Sequence, residues 1–106
     1  MTNHDIQHRE ARLVILRFLA DEVNRTMTSS ALTVRMNEMF LFNKERAWVE
    51  QELDYLAEMG AITLVQAGSV KVARLLKHGA RHLSWGIIIP NVKRTSDPIV
   101  LPETED

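Results

Sequence analysis

Between Thr28 and Leu75 the apolar residues change period twice, and this change restricts the chain more than any other feature. Leu32, Met36, Met39 and Phe40 recur at i, i+4, i+7 and i+8, which predicts a helix with one core-facing stripe. Ser29 or Ser30 is expected to cap it. Leu41-Phe42-Asn43-Lys44 then makes a tight turn, with Asn43 as the expected cap of a further helix. That helix carries Val49, Leu53 and Leu56 inward, flanked by Trp48, Tyr55 and Met59. Gly60 supplies the positive-φ stop that helix ends favour. Beyond it the period falls to two. Residues 61–65 and 70–74 are rich in β-branched side chains and are separated by a turn containing Ala67-Gly68-Ser69, the pattern of a hairpin.

Two helices across a tight turn, followed by a hairpin, form the outline of an α+β winged helix-turn-helix, with three to four helices and a two-stranded wing. Upstream, from Asp5 to about Asn24, Ile6, Leu13, Leu16, Ala20 and Val23 predict an amphipathic helix, widened by Ile15 and Leu19 and capped by Asn3 or Asp5. Downstream, residues 76–85 suggest a fourth helix with Leu76, Ala80 and Leu83 inward, ended by Gly86, although Gly79 weakens it. Ile87-Ile88-Ile89 is expected to be a strand or a packed arm. No internal repeat and no second domain is visible.

With 106 residues and 45% hydrophobic content, the chain suits one domain with one core. No apolar run approaches the ~20 residues of a membrane span. The polar start MTNHDIQHRE lacks the pattern of a secretion signal. The lack of cysteine rules out disulfides and thiolate metal sites and fits a reducing cytosol. The net charge of −1 conceals an uneven distribution. Residues 95–106 hold Asp97, Glu103, Glu105 and Asp106 and no Lys or Arg, which leaves ten acids against thirteen bases, +3, in residues 1–94. A winged helix domain over residues 1–94 and an acidic, mobile tail over residues 95–106 are therefore expected.

The residues also support a comparison with known families. Ser30-Ala31-Leu32, and Leu53-Asp54-Tyr55-Leu56-Ala57-Glu58-Met59-Gly60-Ala61-Ile62, are similar to winged helix proteins in general, where a leucine-rich helix ends in Gly before the wing. Residues 72–86 and 89–94 resemble a small uncharacterised winged helix family of Mu-like phages and prophages. Those proteins show a Leu-Thr-x-x-Gly stretch, a second Gly and a Val-x-Arg-Pro ending; this chain has Leu76 in place of the Thr and Thr95 in place of the Pro. The resemblance covers most of residues 10–94. It implies a phage-encoded or prophage-encoded protein acting in a bacterial host, and it brings no functional residues with it.

For a winged helix, double-stranded DNA is the first expected partner, in a regulatory role or one accessory to phage genome handling. Lys44 and Arg46 open the helix that would enter the major groove, Arg35 lies on the helix before it, and Lys71, Arg74, Lys77 and Arg81 lie on or after the wing. Against this, residues 44–59 hold Glu45, Glu50, Glu52, Asp54 and Glu58 against Lys44 and Arg46, a balance of −3 that repels phosphate wherever the acids face it. A homodimer is expected, paired through Phe42, Trp85, Ile87 and Ile89. The alternative to DNA binding is a protein-interaction module that docks a phage or host protein or a second copy. A third reading is a metal-responsive repressor. His4/His8 and His78/His82 are each spaced i, i+4, and two such pairs could complete a tetrahedral site if the first and last helices meet. No cofactor is implied. No phosphate loop, cysteine nucleophile or His-Glu-x-x-His pattern is present, so no enzyme is expected.

Overall fold

The computed structural model describes residues 2–40 and 42–102, apart from the side chain of Phe40. The elements run α1 (Asn3–Asp21), β1 (Thr26–Thr28), α2 (Ser29–Phe40), α3 (Arg46–Glu58), β2 (Ile62–Ala67), β3 (Val70–Leu75) and α4 (Lys77–Leu83). Among the described residues this is an α+β arrangement of four helices and one three-stranded antiparallel sheet, ordered β1-β3-β2.

The expected hairpin forms. Ile62 pairs with Leu75, Leu64 with Ala73 and Val65 with Val72, and Gly68-Ser69 closes the turn between Ala67 and Val70. The third strand was not expected. Residues 26–28 look like a cap-rich break, yet Thr26, Met27 and Thr28 pair with Arg74, Ala73 and Val72. Three residues are too few to show a period, so only the tertiary partner makes them a strand.

The strand leads directly into α2. Thr28, not Ser29 or Ser30, provides the cap, its Oγ1 accepting from the Ala31 N–H at 3.1 Å. Ser29 is fully buried: its hydroxyl donates to Glu50 at 2.6 Å and accepts the Lys71 N–H at 3.0 Å. The hydroxyl thus stands where the next carbonyl of the β1–β3 ladder would be, and it ties α2, α3 and β3 together.

The core stripes are otherwise as expected. Leu32, Met36, Val49, Leu53 and Leu56 are fully buried against Ile15, Leu16 and Leu19 of α1. Burying each such side chain contributes about 1.5–3 kcal/mol. Gly60 takes φ +77° and ends α3, while the Ala61 N–H returns to Leu56 O at 2.9 Å.

Several expectations at the ends of the elements are corrected. The cap of α1 is Thr2, which forms a reciprocal capping box with Asp5, so Asp5 serves as the third helical residue. Hydrogen bonds from Thr2 hold the Asp5 carboxyl below its usual range. Val23 lies past the helix end and Ile6 on its outer turn, and both are exposed. Met39 is exposed too, while the expected burial of Phe40 and the place of Leu41 in the turn lie outside the described residues. Glu45, not Asn43, is the N-cap of α3; Asn43 sits at φ 52° within the turn.

Helix α4 is shorter than expected, with Leu76 as its N-cap residue rather than an inward helical position. Gly79 is buried where a β-carbon would lie 2.5 Å from the Ala61 carbonyl oxygen and 2.7 Å from Leu75 Cδ1. The residue that weakens the helical pattern is thus what lets α4 seat on the start of β2. Residues 87–89 form no strand; Ile89 is buried and Ile88 exposed. The packed chain continues past the boundary expected after Arg94: Thr95 is buried, Trp85 Nε1 donates to its hydroxyl at 3.1 Å, and the Ile99 N–H donates to Leu83 O at 2.8 Å. Of the tail acids, Glu103, Glu105 and Asp106 lie outside the described residues.

Candidate nucleic-acid interface

Helix α3 buries Val49, Leu53 and Leu56 and therefore turns Ala47, Gln51, Asp54 and Glu58 to solvent. Not all of its acids lie on that face. Glu52 points the other way and is 3% exposed, between Arg12 Nε at 3.0 Å and His8 Nδ1 at 2.8 Å. Glu50 is half-buried, accepting a hydrogen bond from the Ser29 hydroxyl and lying 3.8 Å from Arg46 Nε. Asp54 is 2.8 Å from Lys71 Nζ. Glu45 and Glu58 remain exposed at the two ends. Between them the N-terminal half of α3 presents Arg46, Ala47 and Gln51, with Lys44 just before it.

The expected cations do not form one surface. Arg46 is exposed and reaches Ser30 Oγ at 3.4 Å, and Lys44 Nζ lies 5.1 Å from the centre of the Trp48 ring. Arg35 is turned toward α1: its guanidinium lies 4.6 Å from the Phe18 ring centre and 4.0 Å from Glu22. Lys71 is on the helix-facing side of β3 with Ala73 and Leu75, and its charge is matched by Asp54 rather than left for phosphate. Arg74 is on the opposite face, between Thr26 and Thr63. Lys77 and Arg81 line a separate pocket with Arg25 and the stretch Val100-Leu101-Pro102, which no α3 residue enters. The hairpin tip, Gln66 to Ser69, is exposed and carries no charged residue.

Gln51 was absent from the expected site, although the i, i+4 spacing from Ala47, opposite the Val49–Leu53–Leu56 stripe, already places it outward. Attention to cations alone passes over it. A glutamine amide carries both a donor and an acceptor and so matches an adenine edge.

The four histidines do not converge. His82 is fully buried and uses both ring nitrogens: Nε2–H donates to Lys93 O at 3.0 Å, and Nδ1 accepts the Ile89 N–H at 3.0 Å. Burial above all holds its pKa below the usual imidazole value. It cannot ligate a metal in this fold, and no cluster of three or more metal-binding side chains exists among the described residues. The apolar patch is also reduced. Ile89 is 1% exposed, Phe42 and Ile87 are half-buried against the core, and Trp85 is partly covered by Arg94, 4.9 Å from its ring centre. No helix among the described residues is long and apolar enough to cross a membrane. Compared with protein families, characterised proteins and solved structures, the chain finds no match in any of the three.

Proposed function

We propose that the chain is a winged helix DNA-binding protein that reads duplex DNA with the N-terminal half of α3. The order α1-β1-α2-α3-β2-β3, with β3 central in the sheet, supports the winged helix assignment. One observation carries the DNA reading: three of the five acids that oppose it in the sequence, Glu50, Glu52 and Asp54, are buried or paired with neighbours, while Arg46 and Gln51 face outward. In this reading Arg46 and Gln51 approach base edges and Lys44 the flanking phosphates. The uncharged hairpin tip limits the wing to close packing against the sugar-phosphate backbone. A phage or prophage role in gene regulation or genome handling follows from the family resemblance.

Fluorescence anisotropy on a random duplex tests this. Binding at low salt is expected to weaken steeply as salt rises. Arg46→Glu and Gln51→Glu should each weaken it by about 10-fold or more, on the scale of base-edge contacts. Lys71→Gln should also weaken it, because it leaves the Asp54 carboxylate uncompensated on that face. Equal binding by the parent, Arg46→Glu and Gln51→Glu overturns the assignment to α3.

A second reading, docking of a protein or a second copy, is favoured by a groove along α1. There Ile6, Leu13, Val14 and Phe42 lie beside Arg17, Lys93 and Arg94. A concentration-dependent mass in solution that Ile6→Asp abolishes would support it over DNA binding.

A further inference from the structure

The first turns of α1 place two imidazoles against each other. His4 Nε2 and His8 Nε2 are 2.9 Å apart, with ring centres 4.3 Å apart and the rings nearly perpendicular. We propose that these two nitrogens form a bidentate site for a borderline divalent transition-metal ion such as Zn2+ or Co2+. The site is unlike the four-histidine site expected from the sequence: it needs one helix only, and His78 and His82 take no part.

The geometry fits. Two metal–nitrogen bonds of about 2.0–2.1 Å put the nitrogens about 2.9 Å apart at a right-angle bite and about 3.3–3.4 Å apart at a tetrahedral one. The exposed His4 ring has to turn for both lone pairs to meet one ion. The second ring is already oriented. His8 Nδ1 lies 2.8 Å from Glu52 Oε1, which is buried and also held by Arg12, and the His8 ring stacks on Trp48 with centres 5.1 Å apart. A carboxylate on the far nitrogen fixes the Nδ1–H tautomer and directs the Nε2 lone pair outward.

Without metal, His4 Nε2–H donates to His8 Nε2. Binding replaces that hydrogen bond with two metal–nitrogen bonds as the His4 proton moves to its own Nδ1, so no proton is released from neutral rings. The rim holds Asp5, Arg9, Arg12, Tyr55 and Asn91. With Glu52 behind His8, the fixed charges there sum to zero, and affinity rests on the two nitrogens. Two protein donors leave the other coordination positions to water or to a further ligand.

Titration calorimetry with ZnCl2 at pH 7.5, and the visible spectrum of added CoCl2, test the site on the full chain. One ion per chain is expected, with MgCl2 giving no heat. His4→Ala should weaken binding at least about 100-fold. His8→Asn should do the same while its amide keeps the hydrogen bond to Glu52 and the fold. Glu52→Gln should weaken it about 10-fold through the orientation of His8, and His78→Ala should leave it unchanged. Zn2+ uptake no stronger than Mg2+, or uptake that survives either His4→Ala or His8→Asn with circular dichroism unaltered, overturns the proposal.

Discussion

His82 shows how much a single side chain can hold in this small domain. Neutral, with its proton on Nε2, it joins α4 to Lys93 and to the Ile89 N–H in one ring. Protonation of Nδ1 would replace an acceptor with a donor facing the Ile89 N–H. Because burial lowers its folded pKa, the unfolded chain takes up the proton first as pH falls. Its contribution to stability is therefore complete above about pH 6.5 and is lost as pH drops from there toward the lowered folded value. Urea melts at pH 7.5 and pH 5 should show this loss, and His82→Ala should remove that part of the pH dependence. The same variant should cost about 2–4 kcal/mol at pH 7.5, from the orphaned Lys93 carbonyl and Ile89 N–H together with the cavity. Gly79→Ala gives a second test at this scale. A methyl 2.5 Å from the Ala61 carbonyl oxygen must push α4 off the hairpin. A loss of about 1–3 kcal/mol in thermal melts is expected despite the better helix propensity of Ala.

Among the elements, α3 is legible in its core stripe and not in the placement of its charges. Its core stripe follows from period alone, because Val49, Leu53 and Leu56 have no other way to leave water. The direction of its charges does not follow from period. The sum over residues 44–59 does not say which acids face outward: Glu52 lies on the α1 side and Glu50 on the α2 side, whereas Glu45, Asp54 and Glu58 are exposed. The helix wheel separates inward from outward, but it cannot identify a neighbour 40 residues away such as Arg12. Ser29 was misread in the same way: a serine at a helix start looks like a cap until β3 is known to pass beside it. Ser29→Ala should destabilise by about 1–3 kcal/mol, since the Lys71 N–H then loses its acceptor beneath α2. Unchanged urea midpoints would show that water or backbone movement replaces the hydroxyl.

For the molecule as a whole, the stretch after α4 closes the fold. Lys93 N donates to Arg9 O, Tyr55 Oη donates to Pro90 O, and Ile99 N donates to Leu83 O, so one irregular strap joins α1, α3 and α4. A chain ending at Arg94 should lose Thr95 from beneath Trp85 and the Ile99 contact, and should melt several degrees lower, in line with about 1–3 kcal/mol. It would also change net charge from −1 to +3, so its non-specific affinity for duplex at low salt should rise. An unchanged melting temperature would place residues 95–102 outside the cooperative unit.

What the amino-acid order determined by itself was the set of periodic elements: three long helices, the Gly60 stop and the hairpin. Each is a matter of spacing between apolar residues along a regular backbone, and spacing is local. What only the tertiary structure decided was every pairing at long range: the three-residue strand β1, the buried hydroxyl of Ser29, the clamp of His8 and Arg12 on Glu52, the neutral ring of His82 and the packed stretch after Arg94. These depend on which polar groups lose water together, and that is set by the approach of segments far apart in the chain.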